Sequence, residues 1–564
     1  MAIAEQFLTG RVVLPTLAAC CLVLAACQSQ PPAAAPTTGA PAAPTSASGA
    51  PAATSAVTAA SKPAQQGGTL TIGLDQEPPT MDPEASPSAI TFFITSSVGE
   101  TLLYIDENRK IQPWLAQSYE VSSDAKTFTF HLRNDVTFQD GTPFNASAVK
   151  WNFDRVVDPN YKAGSALPQL TGYQGTDTPD DYTAVVHFKD PFVPFLIYAG
   201  SPYLPMVSPT AAQKQADQVN QTPVMSGPYK IDEWVPKDHV TISRWDGYKR
   251  KAPWSDHDGA GYLDQVIWKF VPEAGTRSAT VESGETQAAD ILTPQDVPRL
   301  QSEGMQIVSK AWVGMPEMMF LTTTQAPTDD VNVRQAVEYG IDRDALVSTL
   351  YQGIGQKAIG PLTAIMLDDP SLRAMYPHDI AKAGQLLDQS GWTAGADGIR
   401  TKNGQRLTFS LNAIDYGSGP LQDNELIQGQ LRQIGMDVSI KAQARPPWYE
   451  DNYHCANNGM ELFLRSGELD VLDAAFDSTN VGGNFNWSCL KDPEVDSMLH
   501  QGRQETDPAK RQQLYLQLEQ KLMNQAVIVP LVDQLSVFAL RPGVSGMKFT
   551  GNSYPLVTDI TLSK

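Results

Sequence analysis

Side chains able to do recognition chemistry gather late in the chain. The run Leu462-Phe463-Leu464-Arg465-Ser466-Gly467-Glu468-Leu469-Asp470 puts one guanidinium close to two carboxylates. In a cleft that excludes water, Glu468 or Asp470 would hold a ligand ammonium by charge-assisted hydrogen bonds. Arg465 would hold a carboxylate or phosphate with two parallel N–H donors. The alternative is that Arg465 and Glu468 simply pair with each other. Tyr416, in Ala413-Ile414-Asp415-Tyr416-Gly417, and Trp448 with Tyr449, after Pro446-Pro447, offer apolar or stacking faces. Asn484 and Asn486, beside Trp487, offer amides that either line a cleft or brace a loop.

Other patterns carry less. Asp256-His257-Asp258 reads as a solvated turn, and the seven histidines are scattered without metal-ligand spacing. Gly353-Ile354-Gly355-Gln356-Lys357-Ala358 fits a dinucleotide fingerprint on letters alone, but it follows a helical stretch where the fingerprint must leave a strand. No GxxxxGK[ST], HExxH or GxSxG motif occurs. These residues propose no catalytic group, cofactor or metal, and the chain reads as a binder rather than an enzyme. The five cysteines lack a CxxC pair, which removes zinc-ribbon and thioredoxin-type chemistry.

A length of 564 residues exceeds one hydrophobic core and implies two or three domains. With 41 basic against 62 acidic side chains the net charge is −21, which argues against nucleic-acid binding. Residues 1–27 read as an export signal: Arg11 precedes an apolar run too short to span a bilayer. The run ends Leu24-Ala25-Ala26-Cys27, resembling a bacterial lipobox with Cys27 as the lipidated residue. Leu17-Ala18-Ala19-Cys20 has the same pattern, but cleavage there would leave an apolar segment behind. Residues 28–66 are almost entirely Ala, Pro, Thr, Ser, Gly and Gln, a composition expected to remain a disordered tether.

Beyond the tether, Gly67–Gly73 reads as a strand broken by Pro78-Pro79-Thr80-Met81-Asp82-Pro83. Thr127-Phe128-Thr129-Phe130-His131-Leu132 alternates as a half-buried strand does, and Asp140-Gly141 marks a tight turn. Asn145 is the expected N-cap of a helix to Arg155. Mixed strands and helices with several re-entries imply domains discontinuous in sequence.

The stretch from Pro113 to Phe144 carries a specific resemblance. Pro113, Leu115, Ala116, Ser118, Glu120, Ser122, Asp124, Thr127, Phe130, Leu132 and Arg133 match in order, followed by Val136, Phe138, Asp140, Gly141, Pro143 and Phe144. This pattern resembles the family 5 solute-binding proteins of ABC importers, the receptors for dipeptides, oligopeptides and nickel. Ser226–Ile231, Asp330–Ala336 and Gly391-Trp392 resemble further family segments.

The resemblance implies an α/β, two-lobed periplasmic-binding-protein-like fold (type II, cluster C) with an extra domain on one lobe. Expected boundaries are 67–102 with 226–275 and 526–564 for lobe 1, 103–225 for the extra domain, and 276–525 for lobe 2. It implies a monomeric receptor that captures a peptide or small amine-bearing solute between its lobes and presents it to permease subunits served by separate ATPases. A non-peptide ligand (nickel chelate, sugar, opine or other anionic solute) is the alternative, and a chaperone-like lipoprotein a lesser one. Ser86 and Ser88 fall where relatives line the cleft. Arg465 falls at or near a family tryptophan, and Glu468 or Asp470 near the aspartate that receives a peptide's ammonium in peptide receptors. Related receptors also imply a disulfide here, Cys455 to Cys489.

Overall fold

The computed structural model describes residues 66–563 apart from 291–293, 353 and 416–421. The expectations for Cys27, Cys20, the export signal, most of the tether and Tyr416 therefore lie outside the described residues. Among the described residues no helix is long and apolar enough to cross a membrane.

Two mixed sheets organise the chain. The first runs in the order 306–311, 535–540, 288–290, 69–74, 265–270, 239–244, 229–235. Its centre is Thr69–Leu74, whose Leu70, Ile72 and Leu74 are fully buried. Both of its neighbours, Gln265–Phe270 and Ala288–Asp290, lie parallel to it. Parallel neighbours require a crossover, supplied by the helix Ala274–Ser283. Glu273 caps that helix by accepting from Gly275 N, and Gly284 ends it at φ +86°, where a residue without a β-carbon is favoured.

The second sheet runs 356–357, 528–533, 314–321, 459–465, 408–414, 437–443. Its strand Gly314–Leu321 is buried along its whole length, with Met318 and Phe320 in one core and Met319 and Leu321 in the other. Thr408–Ile414 is parallel to both Asp437–Gln443 and Gly459–Arg465. Gln356–Lys357 is an edge strand, so the glycine-rich run before it leads into no helix.

A third, antiparallel sheet pairs Ala116–Val121, Thr127–Leu132, Thr183–Phe188 and Tyr173–Asp180. The alternation read in Thr127–Leu132 is real: Phe128, Phe130 and Leu132 face inward. The helix Ala146–Val156 lies over this unit, and Asn145 caps it by accepting from Ala148 N at 3.0 Å.

The chain passes between the two large sheets at Trp312-Val313 and again at Gln534. Strands at 288–290 and 306–311, inside the range expected for lobe 2, hydrogen-bond into the first sheet instead. Strand Ile528–Asp533, inside the range expected for lobe 1, belongs to the second. Sheet membership is a long-range pairing choice, and local alternation carries no information about it. Cys455 and Cys489 form a disulfide with Cα atoms 6.3 Å apart.

Phe195 is fully buried and sits 4.7 Å from the Phe188 ring and 5.0 Å from that of Phe128. Phe195→Ala should destabilise the protein by about 3–5 kcal/mol in chemical denaturation, because the void has rigid aromatic walls.

Candidate functional site

The cleft is built at strand ends. Asp75 follows Thr69–Leu74 and Asp290 ends the parallel neighbour Ala288–Asp290. Arg465 ends Gly459–Arg465, and Ile414 ends its parallel neighbour. Open α/β sheets place their ligand crevices at such carboxyl ends.

Arg465 reaches from the second sheet towards the first. Its guanidinium carbon lies 3.5 Å from the centre of the Trp312 ring, with Tyr554 at 5.5 Å and Phe93 at 5.7 Å. Stacking on an indole face suits a planar, weakly hydrated cation and leaves its N–H edge free. Two of its donors are unused here: Nε and Nη1 are buried and have no hydrogen-bond partner. The backbone is fixed separately, since Tyr203 Oη donates to the Arg465 carbonyl at 3.0 Å and also bonds Tyr554 Oη at 2.8 Å. Burial pulls the Arg465 pKa below its ordinary value, while Tyr554, Tyr203, Asp290 and Asp75 act in the opposite direction.

A fully buried cation lies behind the first sheet, on the helix Ala274–Ser283. Arg277 is 1% exposed; Nε donates to Asp290 O at 2.7 Å and Nη1 to Val271 O at 2.7 Å, while Nη2 has no partner. Gly73 makes room for it, because a β-carbon there would lie 3.3 Å from Arg277 Cγ and from Ala289 Cβ. Asp75 Oδ1 is likewise buried and unpartnered. Burial, then the neighbouring Asp75, pushes Asp290 up to about 7, against Arg277 and Arg465. Burial also raises Asp75, against the same two arginines.

The carboxylates expected to receive an ammonium are engaged elsewhere. Glu468 is 3% exposed and accepts from Arg511 Nη2, and Arg511 Nε is fixed by Gly502 O at 2.7 Å. Asp470 receives Arg503 Nε and Nη2, each at 3.1 Å, and Arg503 also binds Asp473 at 2.7 Å. The Arg465–Glu468 pair does not form. The reason is local: Gly459–Arg465 ends at Arg465, and the chain then turns Glu468 towards the helix Pro508–Asn524, which carries Arg511.

Trp448 is a core residue, 4% exposed, edge-on to Trp487 at 4.8 Å and donating Nε1 to Asn412 O. Asn484 braces its loop, with Nδ2 donating to Asn480 Oδ1 and its carbonyl accepting from Trp487 Nε1. Ser86 is fully buried against Thr91 Oγ1, and Ser88 caps the helix Ala89–Thr95. These four side chains have documented structural partners. Asp75, Arg277, Asp290, Trp312, Tyr203 and Tyr554 were not legible as site residues. A charged residue at the end of an apolar strand, as at Asp75 and Asp290, was the one available signal.

A further acidic cluster lies beside the crossing at Gln534. Carboxylate oxygens of Glu317, Asp423 and Glu461 lie within 4.8 Å of one another. Glu317 accepts from Tyr351 Oη at 2.8 Å and from Gln534 Nε2, and burial pushes it up to about 8.

Two outcomes follow from this electrostatic arrangement. Arg511→Ala leaves Glu468 buried without its main counter-ion and should cost about 3–5 kcal/mol in denaturant titration. Asp290 carries a raised pKa, so between about 4, its ordinary unfolded value, and about 7 the folded state binds the extra proton. Its contribution to stability therefore falls as pH rises through that window. Asp290→Asn should raise the melting temperature relative to the parent more at pH 8 than at pH 5.

The comparisons with known proteins agree with this geometry. The model of "Bacterial extracellular solute-binding proteins, family 5 Middle" matches residues 110–488, more than half of the chain. The chain is similar to the glutathione-binding protein GsiB of Shigella flexneri, 29% identical over 492 residues, covering 84% of this chain and 91% of that protein. Among solved structures it resembles NikA from Brucella suis in complex with Fe(III)-EDTA, with TM-score 0.77, 25% identity, and coverage of 88% and 100%. It also resembles AgaA from A. tumefaciens R10 in complex with agropinic acid, with TM-score 0.73, 25% identity, and coverage of 88% and 99%. A two-lobed mixed α/β architecture with a charged crevice at the strand ends, matched by sequence over most of its length, places the chain in the family 5 bacterial extracellular solute-binding proteins.

Proposed function

We propose that the protein is the extracytoplasmic receptor of an ABC importer and captures a small peptide or related amine-bearing solute between its lobes. The observation that carries this reading is Arg465, a half-buried guanidinium reaching from one large sheet towards the other, whose Nε and Nη1 are buried without a hydrogen-bond partner. Buried N–H donors without a partner are costly, and a ligand anion relieves that cost when the lobes are together. Ligand binding and closure are thereby coupled, since a ligand shifts an equilibrium by its differential affinity for the two states.

Contacts already bridge the lobes: Arg109 Nη2 donates to Gly467 O at 2.6 Å, and Val193 N to Arg503 O at 3.1 Å. The closed face is what permease subunits would read, with ATP hydrolysis left to separate subunits. Leu24-Ala25-Ala26-Cys27 supports lipidation at Cys27, and the composition of 28–66 supports a tether long enough for a monomeric receptor to reach its membrane partner. Arg465 also favours the second reading, a non-peptide anionic solute in the same crevice.

The test begins with mass spectrometry of the purified protein before and after denaturation, to identify a carried solute. Glutathione is the first calorimetric probe, chosen for the similarity to GsiB. Arg465→Ala should weaken a captured anionic solute by about 2–5 kcal/mol. Unchanged affinity in that variant would move the anchor elsewhere.

A further inference from the structure

A partly open cavity of about 30 Å³ is lined by Tyr104 and Ile105 of the strand Leu103–Ile105 and by residues 550–552. Pro202 in its wall precedes Tyr203, whose Oη donates to the Arg465 carbonyl at 3.0 Å. Asn552, also in its wall, reaches the turn after Arg465: a β-carbon on Gly467 would stand 2.7 Å from Asn552 Oδ1. The cavity therefore adjoins the turn that carries the crevice guanidinium. Most of the polar side chains around it are engaged within the protein. Thr95, Ser96 and Thr101 donate to backbone carbonyls, and the indoles of Trp114 and Trp254 donate to Glu100 and Thr558. Two groups are left over. The Tyr104 hydroxyl, on a residue 7% exposed, and the Asn552 amide, on a residue 4% exposed, make no hydrogen bond among the described residues. Burial raises the Tyr104 pKa, so its hydroxyl stays neutral. Buried polar groups are ordinarily paired, and two left open around one cavity mark the place of a missing partner.

The cavity limits that partner in size, charge and chemistry. A water molecule's share of liquid volume is about 30 Å³, so the space admits the tip of a side chain and not a whole solute. Among the described residues no charged side chain lines it. An ion there would lose its hydration without gaining a counter-charge. A phenol and a primary amide can each donate and accept, so the partner must do both from one small neutral group. A hydroxyl meets all three conditions. Resting on the peptide-receptor reading, we infer that this cavity is a specificity subsite for a hydroxyl-bearing side chain of the bound solute, with the O–H held between Tyr104 and Asn552. The guanidinium of Arg465 then anchors the solute by its charge, and the neighbouring cavity selects its side chain.

The experiment measures Ala-Ala, and the four dipeptides that place serine or aspartate at one of its positions, by calorimetry on the full folded protein. Serine at one of the two positions should bind about tenfold more tightly than Ala-Ala, the worth of one or two hydrogen bonds. Aspartate at that same position should bind more weakly than Ala-Ala, because its charge has no partner in the cavity. Tyr104→Phe and Asn552→Leu, each checked for a cooperative melt, should reduce the serine preference to under about threefold, as each removes one hydrogen-bonding group. Tyr104→Phe should not lower the melting temperature, since the hydroxyl bonds nothing within the protein. Absence of any serine preference overturns the subsite and leaves the cavity an ordered water only, with the receptor reading intact. A preference that survives both substitutions overturns the residue assignment. A lowered melting temperature with unchanged selectivity in Tyr104→Phe assigns that hydroxyl to structure and overturns its role. Failure of all five dipeptides to bind removes the peptide reading and this inference with it.

Discussion

Trp312 joins the architecture to the chemistry. Its backbone N–H donates to Gln534 O at 2.9 Å, tying the two strands where they leave one large sheet for the other. Its indole Nε1 donates to Ser536 Oγ at 3.0 Å, and the ring face carries the Arg465 guanidinium. The residue that ties the two crossings together is therefore also the platform of the Arg465 guanidinium. A rotation of one lobe on the other must pass through this junction, which carries both crossings and the Arg465 stack. Gln534 adds to the coupling by donating to Glu317 in the second sheet.

The charged cleft loop shows how burial redistributes roles. A carboxylate such as Glu468, at 3% exposure, needs a counter-charge whether or not ligand is present. Arg511 supplies it, and Arg503 does the same for Asp470 and Asp473. Those pairs brace the loop after Gly459–Arg465 against the helices Pro493–Gln504 and Pro508–Asn524. Arg465 is the member of the run left without an ion pair among the described residues. Its stack on an indole lowers the cost of burying it but leaves Nε and Nη1 without partners. The same logic pairs Arg155 with Asp82 and Glu84 elsewhere.

The sheets explain why the crevice falls where it does. In the first, Thr69–Leu74 and Ala288–Asp290 run parallel and end together, so Asp75 and Asp290 arrive side by side from residues far apart in sequence. In the second, Thr408–Ile414 and Gly459–Arg465 also end together. The crossover helix Ala274–Ser283 packs against the first pair and inserts Arg277 behind it, where three carbonyls hold the guanidinium. The floor of the crevice is thus a product of parallel pairing, while the antiparallel unit around Phe128 and Phe195 contributes contacts at its rim.

Much of the fold was legible in local pattern. Alternation in Thr127–Leu132, the Asn145 cap and the ordered set from Pro113 to Phe144 are encoded by neighbours within a few residues, and short-range sterics and hydrogen bonding set them. The candidate site was legible only in part. Arg465 stood out by residue type, but its partner did not: the choice between Glu468 and an open crevice depends on Arg511, which approaches from a helix more than forty residues away. Trp448 reads the same in sequence whether it lines a cleft or, as here, packs on Trp487. Asp75 and Asp290 become neighbours only once two strands pair in parallel. The sequence by itself determined the family, the α/β class and the turn and cap chemistry, because those rest on residues adjacent in the chain. Tertiary structure alone decided which charges pair with each other and which keep donors without a partner, because buried charge is settled by whichever partner long-range packing brings within reach.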